Sequence, residues 1–333
     1  MEDRIYEFNS SATGITDGEW LAIFVRDENH RIVAHCEAMV SQFWLGNFLL
    51  AKEHGEQIRS LYRIDEHHHI VVQTNFDPLS AYGLYGGPWT WILGYPDQAL
   101  QITLEKERHA RQINHPYDLG FALTTGSHTF DYRCEAEELF QRVDEAERVG
   151  RDSSVPFIAE VMAQVMRGVA LLRAGRPSEA VTQLDLGIGR WHAHGSNIWN
   201  PYIRSLQAEA MALTGDLDGA VSLLDNCIEQ TQRPGWEERA HLAETLRLRA
   251  WALHQRGDKD QVEPLLREAI DVARGQQAKS WELRASTTLA DVLAERGERT
   301  AALELLQPIY DWFTQGFDTR DLRTARTLLD QLQ

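Results

Sequence analysis

One short pattern recurs along the chain: a glycine, four variable residues, and then alanine or valine. In the C-terminal half the glycines of successive copies lie 40, 42 and 40 residues apart, and in the N-terminal half the spacing varies from 37 to 48. Recurrence at such a period predicts a repeat architecture, in which one structural unit is stacked several times. The clear copies are Gly46–Ala51, Gly94–Ala99, Gly175–Ala180, Gly215–Ala220, Gly257–Val262 and Gly297–Ala302, and a degenerate copy runs from Asp131 to Ala136.

Small and apolar residues flank each glycine at offsets typical of helices. Most copies have a small residue seven positions before the glycine, and the last four have leucine or methionine four positions before it. These two offsets lie on one helical face, as do the alanine at plus five and a leucine at plus nine. Because glycine readily adopts the left-handed conformation that ends a helix, each unit is predicted to be a hairpin of two amphipathic helices. The small residues are Gly87, Gly168, Ala208, Ala250 and Ala290, and the leucines after the turn are Leu184, Leu224, Leu266 and Leu306.

This arrangement resembles the tetratricopeptide repeat, whose consensus places a small residue seven positions before the turn glycine and an alanine five positions after it. The family period is 34 residues, so a spacing of 40 to 42 predicts helices that are longer than standard. The resemblance implies an all-α solenoid, a right-handed superhelix of about seven hairpins whose first helices line the concave side. Alternation at period two is confined to a few residues, so no sheet is expected.

The end of the chain has the features of a capping helix. Gly316 can stop the preceding helix, and Asp318 or Thr319 can begin the next one. We expect Trp312, Phe313 and Phe317 to seal the terminal hairpin and Leu322, Ala325, Leu328 and Leu329 to form the apolar stripe of the cap. The predicted organisation is an irregular N-terminal segment (residues 1–30) and a helical repeat domain (31–333), with regular repeats over 155–315 and a capping helix over 319–332.

A second resemblance rests on the closing sequence from Pro308 to Leu322, PIYDWFTQGFDTRDL. It is similar to the end of bacterial regulators in which a class III adenylate or guanylate cyclase domain and an ATPase domain precede a tetratricopeptide tail. Shorter matches such as Phe76–Pro78, Trp91–Asp97 and Trp281–Ala285 extend the similarity over about residues 31 to 333. No phosphate-binding loop occurs in the sequence, so the resemblance covers the non-catalytic tail alone and implies a regulatory, protein-binding role in signal transduction.

Composition excludes several classes of partner. The sequence has 33 basic and 50 acidic residues and a formal net charge of −17, which disfavours direct binding to nucleic acid. Its acidic N-terminus and the lack of a long apolar run predict neither export nor membrane insertion. The three cysteines, Cys36, Cys134 and Cys227, are far apart and unpaired in sequence, as expected in a reducing cytoplasm.

The motifs that suggest catalysis or metal binding are weak. Consecutive histidines in the segment Asp65–His69 diverge from one another, so a polar connection between hairpins is favoured over a metal site. The segment Asp216–Gly219 matches a calcium loop at few positions and coincides with a repeat turn, which favours helix capping. Ser127 and His128 lack the surroundings of a nucleophile elbow. We therefore predict a non-enzymatic protein with no catalytic residue, no metal site and no cofactor.

The repeat register supplies candidate binding residues instead. Positions 13, 10, 6 and 3 residues before each turn should face the concave side, and aromatic and arginine side chains there are typical anchors for a peptide. The same aromatic residues could equally pack between neighbouring hairpins. The leading hypothesis is a groove that binds a protein or peptide partner, and the alternative is a small-molecule sensor, suggested by the aromatic and histidine residues between Trp89 and His128. The candidates are Trp91, Phe121, His128, Tyr202, Glu209, Glu244, Arg247, Trp251, His254, Arg284 and Asp291.

Overall fold

A computed structural model of the protein describes residues 28–67, 69–71, 76–195, 198–235 and 237–333, and within these ranges the chain is helical and contains no strand. Three short non-α segments occur: 3₁₀ turns at Thr125–Ser127 and Lys259–Gln261, and a π-helix at Phe157–Met162. The α-helices are α1 (Glu28–Trp44), α2 (Phe48–Leu61), α3 (Ile64–His67), α4 (Pro78–Ile92), α5 (Pro96–Ile113), α6 (Pro116–Leu123), α7 (His128–Arg133), α8 (Ala136–Asp152), α9 (Ala163–Arg173), α10 (Pro177–Ala193), α11 (Asn200–Leu213), α12 (Leu217–Gln232), α13 (Leu242–Arg256), α14 (Val262–Gly275), α15 (Lys279–Glu295), α16 (Arg299–Trp312) and α17 (Arg320–Leu332).

These helices pack as consecutive hairpins. The pairs are α1/α2, α4/α5, α6–α7/α8, α9/α10, α11/α12, α13/α14 and α15/α16, and α17 packs on the last pair. The second helix of each hairpin also contacts the first helix of the next, and the first helices α9, α11, α13 and α15 contact one another in series. This confirms the predicted all-α solenoid. No helix of the described residues is long and apolar enough to cross a membrane.

The turns have the predicted conformation in six of the hairpins. The glycines at 46, 94, 175, 215, 257 and 297 all have positive φ, between 72° and 97°. The alanine or valine five positions later is completely buried in every one of these copies. In the third hairpin, however, the left-handed residue is Cys134, with φ of 59°, and the buried residue five positions on is Leu139. The degenerate copy is therefore displaced by three residues from its predicted start at Asp131.

The small residue before each turn allows two helices to approach closely. At Gly168 in α9, an added Cβ would lie 2.6 Å from Cγ of Leu184 and 3.0 Å from its backbone nitrogen on α10. A side chain at this position would therefore force the two helices of the hairpin apart. The equivalent residues Ala208, Ala250 and Ala290 are completely buried.

The C-terminal cap forms largely as predicted. In α17 the side chains of Leu322, Ala325, Leu328 and Leu329 are buried, as is Phe313. The expectation for the other two aromatic residues is wrong, because neither is enclosed in the terminal hairpin. Trp312 is 37% exposed and rests on Tyr95 and Lys279, and Phe317 is 49% exposed beside Tyr310. At the other end, residues 1–27 lie outside the described residues and α1 already begins at Glu28. The predicted domain boundaries stay predictions.

The solenoid turns back on itself. The carbonyl oxygen of Trp44, in the first hairpin turn, accepts hydrogen bonds from the backbone N–H groups of Arg239 (2.7 Å) and Ala240. In the second hairpin turn, the carbonyl oxygen of Trp91 accepts a 2.5 Å bond from the Ser280 hydroxyl. The backbone N–H of Asp97 donates to the side chain of Gln315. The first two hairpin turns therefore close against the segment before α13, the first turn of α15 and the segment before α17.

Candidate ligand-binding cavity

An aromatic cluster occupies the region where the two ends of the solenoid meet. The rings of Trp91, Tyr132 and Trp281 lie within 5.3 Å of one another, centroid to centroid. Tyr202 stacks on His241 at 3.9 Å, and the Tyr132 hydroxyl lies 2.6 Å from Nε2 of His241. All five side chains are buried. We refer to these five residues as the aromatic cluster.

Three predicted binding residues belong to this interior. Trp91 and Tyr202 are members of the aromatic cluster, and His128 lies beside it, 4.2 Å from the Trp199 ring. All three are buried because the N-terminal turns cover the concave side at this point. Trp89, which contributed to the sensor hypothesis, is buried as well. These side chains pack between hairpins and do not face an open groove.

Next to the cluster lies an open cavity of about 660 Å³. Its walls come from the C-terminal parts of α9 and α11, from α13 and α15, and from the start of α17, and Cys134 also borders it. The first helices of the later hairpins thus line the concave side where the N-terminal turns leave it uncovered. Five of the predicted residues line this cavity: Glu209, Glu244, Arg247, Trp251 and Arg284.

Glu244 is the electrostatic centre of the wall. Its carboxylate accepts two hydrogen bonds from Arg247, from Nε at 2.7 Å and from Nη2 at 2.8 Å, and a third from Nη1 of Arg284 at 3.1 Å. Burial by itself would raise the pKa of this carboxyl group, but the two guanidinium groups outweigh that effect and lower its pKa to about 2. Glu244 is therefore ionised at neutral pH and holds both arginines in place.

Arg284 connects the cavity with the N-terminal hairpins. Besides Glu244, it donates to Asp321 of α17 at 2.8 Å and to the carbonyl oxygen of Tyr132 at 2.6 Å. Its guanidinium carbon lies 4.8 Å from the ring centroid of Trp91 and 5.0 Å from that of Trp281. Such cation–π contacts add to the ion pairs in a partly buried site. One side chain thus contacts the cavity wall, the capping helix and the aromatic cluster.

A second ion-pair group, centred on Arg173, was not predicted from the sequence. Arg173 donates from Nε to the buried carboxylate of Asp131 at 2.6 Å and from Nη1 to Glu209 at 3.0 Å. The Tyr202 hydroxyl also donates to Asp131. Although burial opposes ionisation, Arg173 keeps the pKa of Asp131 below its usual value. If the third turn is counted from Cys134, Asp131 lies three residues before it, which is an inward-facing position. The sequence pattern could therefore have identified Asp131.

The other predicted residues lie away from the cavity. Phe121 packs against Tyr117 in α6 and stacks with Phe157 in the π-helical segment before α9. His254 pairs with Glu295 at 3.0 Å. Asp291 is exposed.

The segment Asp65–His69 has a structural role where it is described. His67 is buried, and its Nδ1 accepts a hydrogen bond from the backbone N–H of Arg63. His68 lies outside the described residues. Among the residues that the structure covers, no group of three histidine, cysteine or acidic side chains is arranged to hold a metal ion. Asp216 caps α12 by accepting a bond from the backbone N–H of Gly219, which confirms its capping role.

Part of the sequence matches the model of a known protein family. Four segments match the family model of the tetratricopeptide repeat, residues 161–185, 201–226, 243–268 and 283–308, and they begin 40 to 42 residues apart. These four segments have the sequence pattern of tetratricopeptide repeats. Each matched segment runs from the first helix of a hairpin into the second, in the hairpins that build the cavity wall.

A solved structure has a similar fold along nearly the whole chain. It is the crystal structure of a Rap protein complexed with competence and sporulation factor, with a TM-score of 0.59 and 10% sequence identity. The match covers 99% of this chain and 94% of that chain. At this level of identity the likeness concerns the fold. No curated protein matches the sequence.

Proposed function

We propose that this protein is a non-catalytic scaffold that binds a segment of a protein partner in its cavity. The observation that carries the proposal is the convergence of four arginines and one partly exposed tryptophan, Trp251, on a single opening of about 660 Å³. Arginine and tryptophan are the residue types that most often anchor protein interfaces. Ion pairs inside the wall hold the guanidinium groups in position before a ligand arrives, which reduces the entropy cost of binding.

Two further observations support a protein ligand. The cavity is built by tetratricopeptide hairpins, and solenoids of this kind offer extended concave surfaces for recognition. The Rap protein of similar fold was crystallised with competence and sporulation factor. The finer proposal is a role in signal transduction in the cytoplasm, as in the tails of cyclase-linked regulators, and it rests on the closing sequence from Pro308 to Leu322. Genes adjacent to this one that encode cyclase or ATPase domains would support that role.

The proposal is tested with Trp251→Ala and with a library of short random peptides. The full-length protein is used to capture peptides, which are then measured individually against wild type and variant. We expect the variant to bind at least about tenfold more weakly, since a tryptophan anchor contributes about 2 kcal/mol or more. The matched control is Trp312→Ala, because Trp312 is also partly exposed but packs on Tyr95 and Lys279 and does not line the cavity.

Circular dichroism and thermal unfolding check that both variants keep the fold. Peptides that bind wild type and Trp251→Ala equally would show that the cavity is not the binding site. Failure of the folded wild-type protein to retain any peptide would also contradict the proposal.

A small-molecule sensor remains the second candidate, because the cavity volume lies within the range of about 300 to 1,000 Å³ that is typical of ligand pockets. A thermal-shift screen with metabolites and nucleotides distinguishes the two functions. A dose-dependent rise in melting temperature that Trp251→Ala abolishes would favour the sensor. No such rise, together with capture of peptides by the cavity, would favour the scaffold.

A further inference from the structure

The cavity has more hydrogen-bond donors than acceptors available to a ligand. Four arginines, Arg173, Arg247, Arg284 and Arg320, come from four different helices and line one opening. The three carboxylates of the wall, by contrast, are already engaged: Glu244 accepts three hydrogen bonds from arginine, Glu209 accepts two and Asp321 accepts one. A ligand that enters the cavity therefore meets donors in excess and few acceptors that are available.

Arg247 and Arg320 have the most N–H donors that are still available to a ligand. A guanidinium group carries five N–H donors. Arg247 uses two of them on Glu244, and it forms no hydrogen bond to any other described residue. Arg320 is exposed at the mouth and contacts Cys134 through one nitrogen, at 3.7 Å from the sulfur. Both can donate hydrogen bonds to an additional anionic group without losing an existing contact with a carboxylate.

An apolar surface lies directly beside these donors. Trp251 follows Arg247 by one helical turn on α13, so the two side chains project from the same helical face into the cavity. A carboxylate on the arginines and an apolar side chain on the tryptophan would use both surfaces. Arginine binds carboxylate in a bidentate geometry, and the interaction is stronger in a partly buried wall than in water.

We infer that the segment bound in the cavity is acidic, with a carboxylate that pairs with Arg247 and Arg320 beside an apolar residue on Trp251. This inference rests on the proposed function. The carboxylate comes from an aspartate or glutamate side chain or from the C-terminus of the partner. The net charge of −17 makes the inference specific, since the protein surface as a whole attracts basic peptides and repels acidic ones.

The test compares captured peptides with the input library. The library is prepared once with free and once with amidated C-termini, captured on the full-length protein and identified by mass spectrometry. We expect enrichment of aspartate and glutamate in both preparations, or enrichment in the free-acid preparation alone if the C-terminus supplies the carboxylate. A Glu→Gln change or amidation in a captured peptide should then weaken binding about tenfold or more.

Variants of the protein show which arginines bind the acidic peptides. Arg247→Gln should weaken binding of acidic peptides about tenfold, and Arg320→Gln about two- to fivefold, since Arg320 is exposed and its interactions are screened. The control is Arg323→Gln, which makes the same charge change on the exposed face of α17 outside the cavity and should leave binding unchanged. Arg320→Gln alters an exposed residue, so it keeps the test valid even if Arg247→Gln unfolds.

The outcomes separate the inference from the function on which it rests. Captured peptides that depend on Trp251 but show no enrichment of acidic groups would overturn the inference and leave the scaffold in place. Enrichment of basic peptides that bind Trp251→Ala normally would overturn both, because it would reflect association with the acidic surface. Retention of no peptide by the folded protein would overturn both as well.

Discussion

Replacement of Glu244 by glutamine removes the charge that holds the cavity wall together. The pKa of this buried carboxyl group falls from its ordinary value of 4.5 to about 2 in the folded protein. At about 1.4 kcal/mol for each pKa unit, the ionised form is stabilised by about 3 kcal/mol relative to the neutral form. We expect Glu244→Gln to lower the free energy of unfolding at pH 7 by about that amount, because Arg247 and Arg284 lose a shared buried partner.

The assay is urea unfolding followed by circular dichroism from pH 7 down to pH 3. A carboxyl group with a lowered pKa in the folded state contributes stability that is complete above the unfolded pKa and is lost as pH falls toward the folded pKa. The difference between wild type and Glu244→Gln should therefore be constant above about pH 5 and about 2 kcal/mol smaller at pH 3.

The matched control for this prediction is Glu295→Gln. The side chain of Glu295 is 54% exposed and pairs with His254, so its loss should change stability by at most about 0.5 kcal/mol. The reasoning is refuted if Glu244→Gln costs less than about 1 kcal/mol at pH 7, or if the difference from wild type is the same at pH 3 as at pH 7.

Two other predictions concern packing and pH. Gly168→Ala should destabilise the fold by about 1 to 3 kcal/mol, since its Cβ would collide with Leu184, whereas Gly189→Ala on α10 has open space and should stabilise by about 0.5 to 1 kcal/mol. Equal effects in urea unfolding would contradict the close packing of α9 on α10. Burial lowers the pKa of His241 to about 3, so the unfolded chain takes up a proton as pH falls below about 6.5 and stability drops by up to about 1.4 kcal/mol per pH unit. Between pH 6.5 and pH 5, His241→Gln should reduce the slope of the unfolding free energy against pH by up to about 1.4 kcal/mol per pH unit, which corresponds to one proton. An unchanged slope would show that His241 is accessible to protons in the folded state.

The candidate site was only partly predictable. Inward-facing positions counted from the glycine turns include Glu244, Arg247 and Trp251, which line the cavity, because the last four hairpins keep a nearly constant register. The same counting placed Trp91 on the groove, where the structure buries it. It also missed Asp131, because the third hairpin turns at Cys134 and carries no glycine to mark the position.

Helical periodicity and the glycine turns were sufficient to determine the hairpins, their number in the described residues and the burial of their small residues. These features are local: each depends on residues within one unit or on the unit beside it, so the pattern of one repeat specifies them. The closure of the first turns onto the segment before α13, the first turn of α15 and the segment before α17 involves groups up to about 220 residues apart, such as Asp97 and Gly316. This closure depends on the curvature of the solenoid, which accumulates over several units and is set by small differences in packing. The same curvature buries the aromatic cluster and leaves the arginine-lined cavity open.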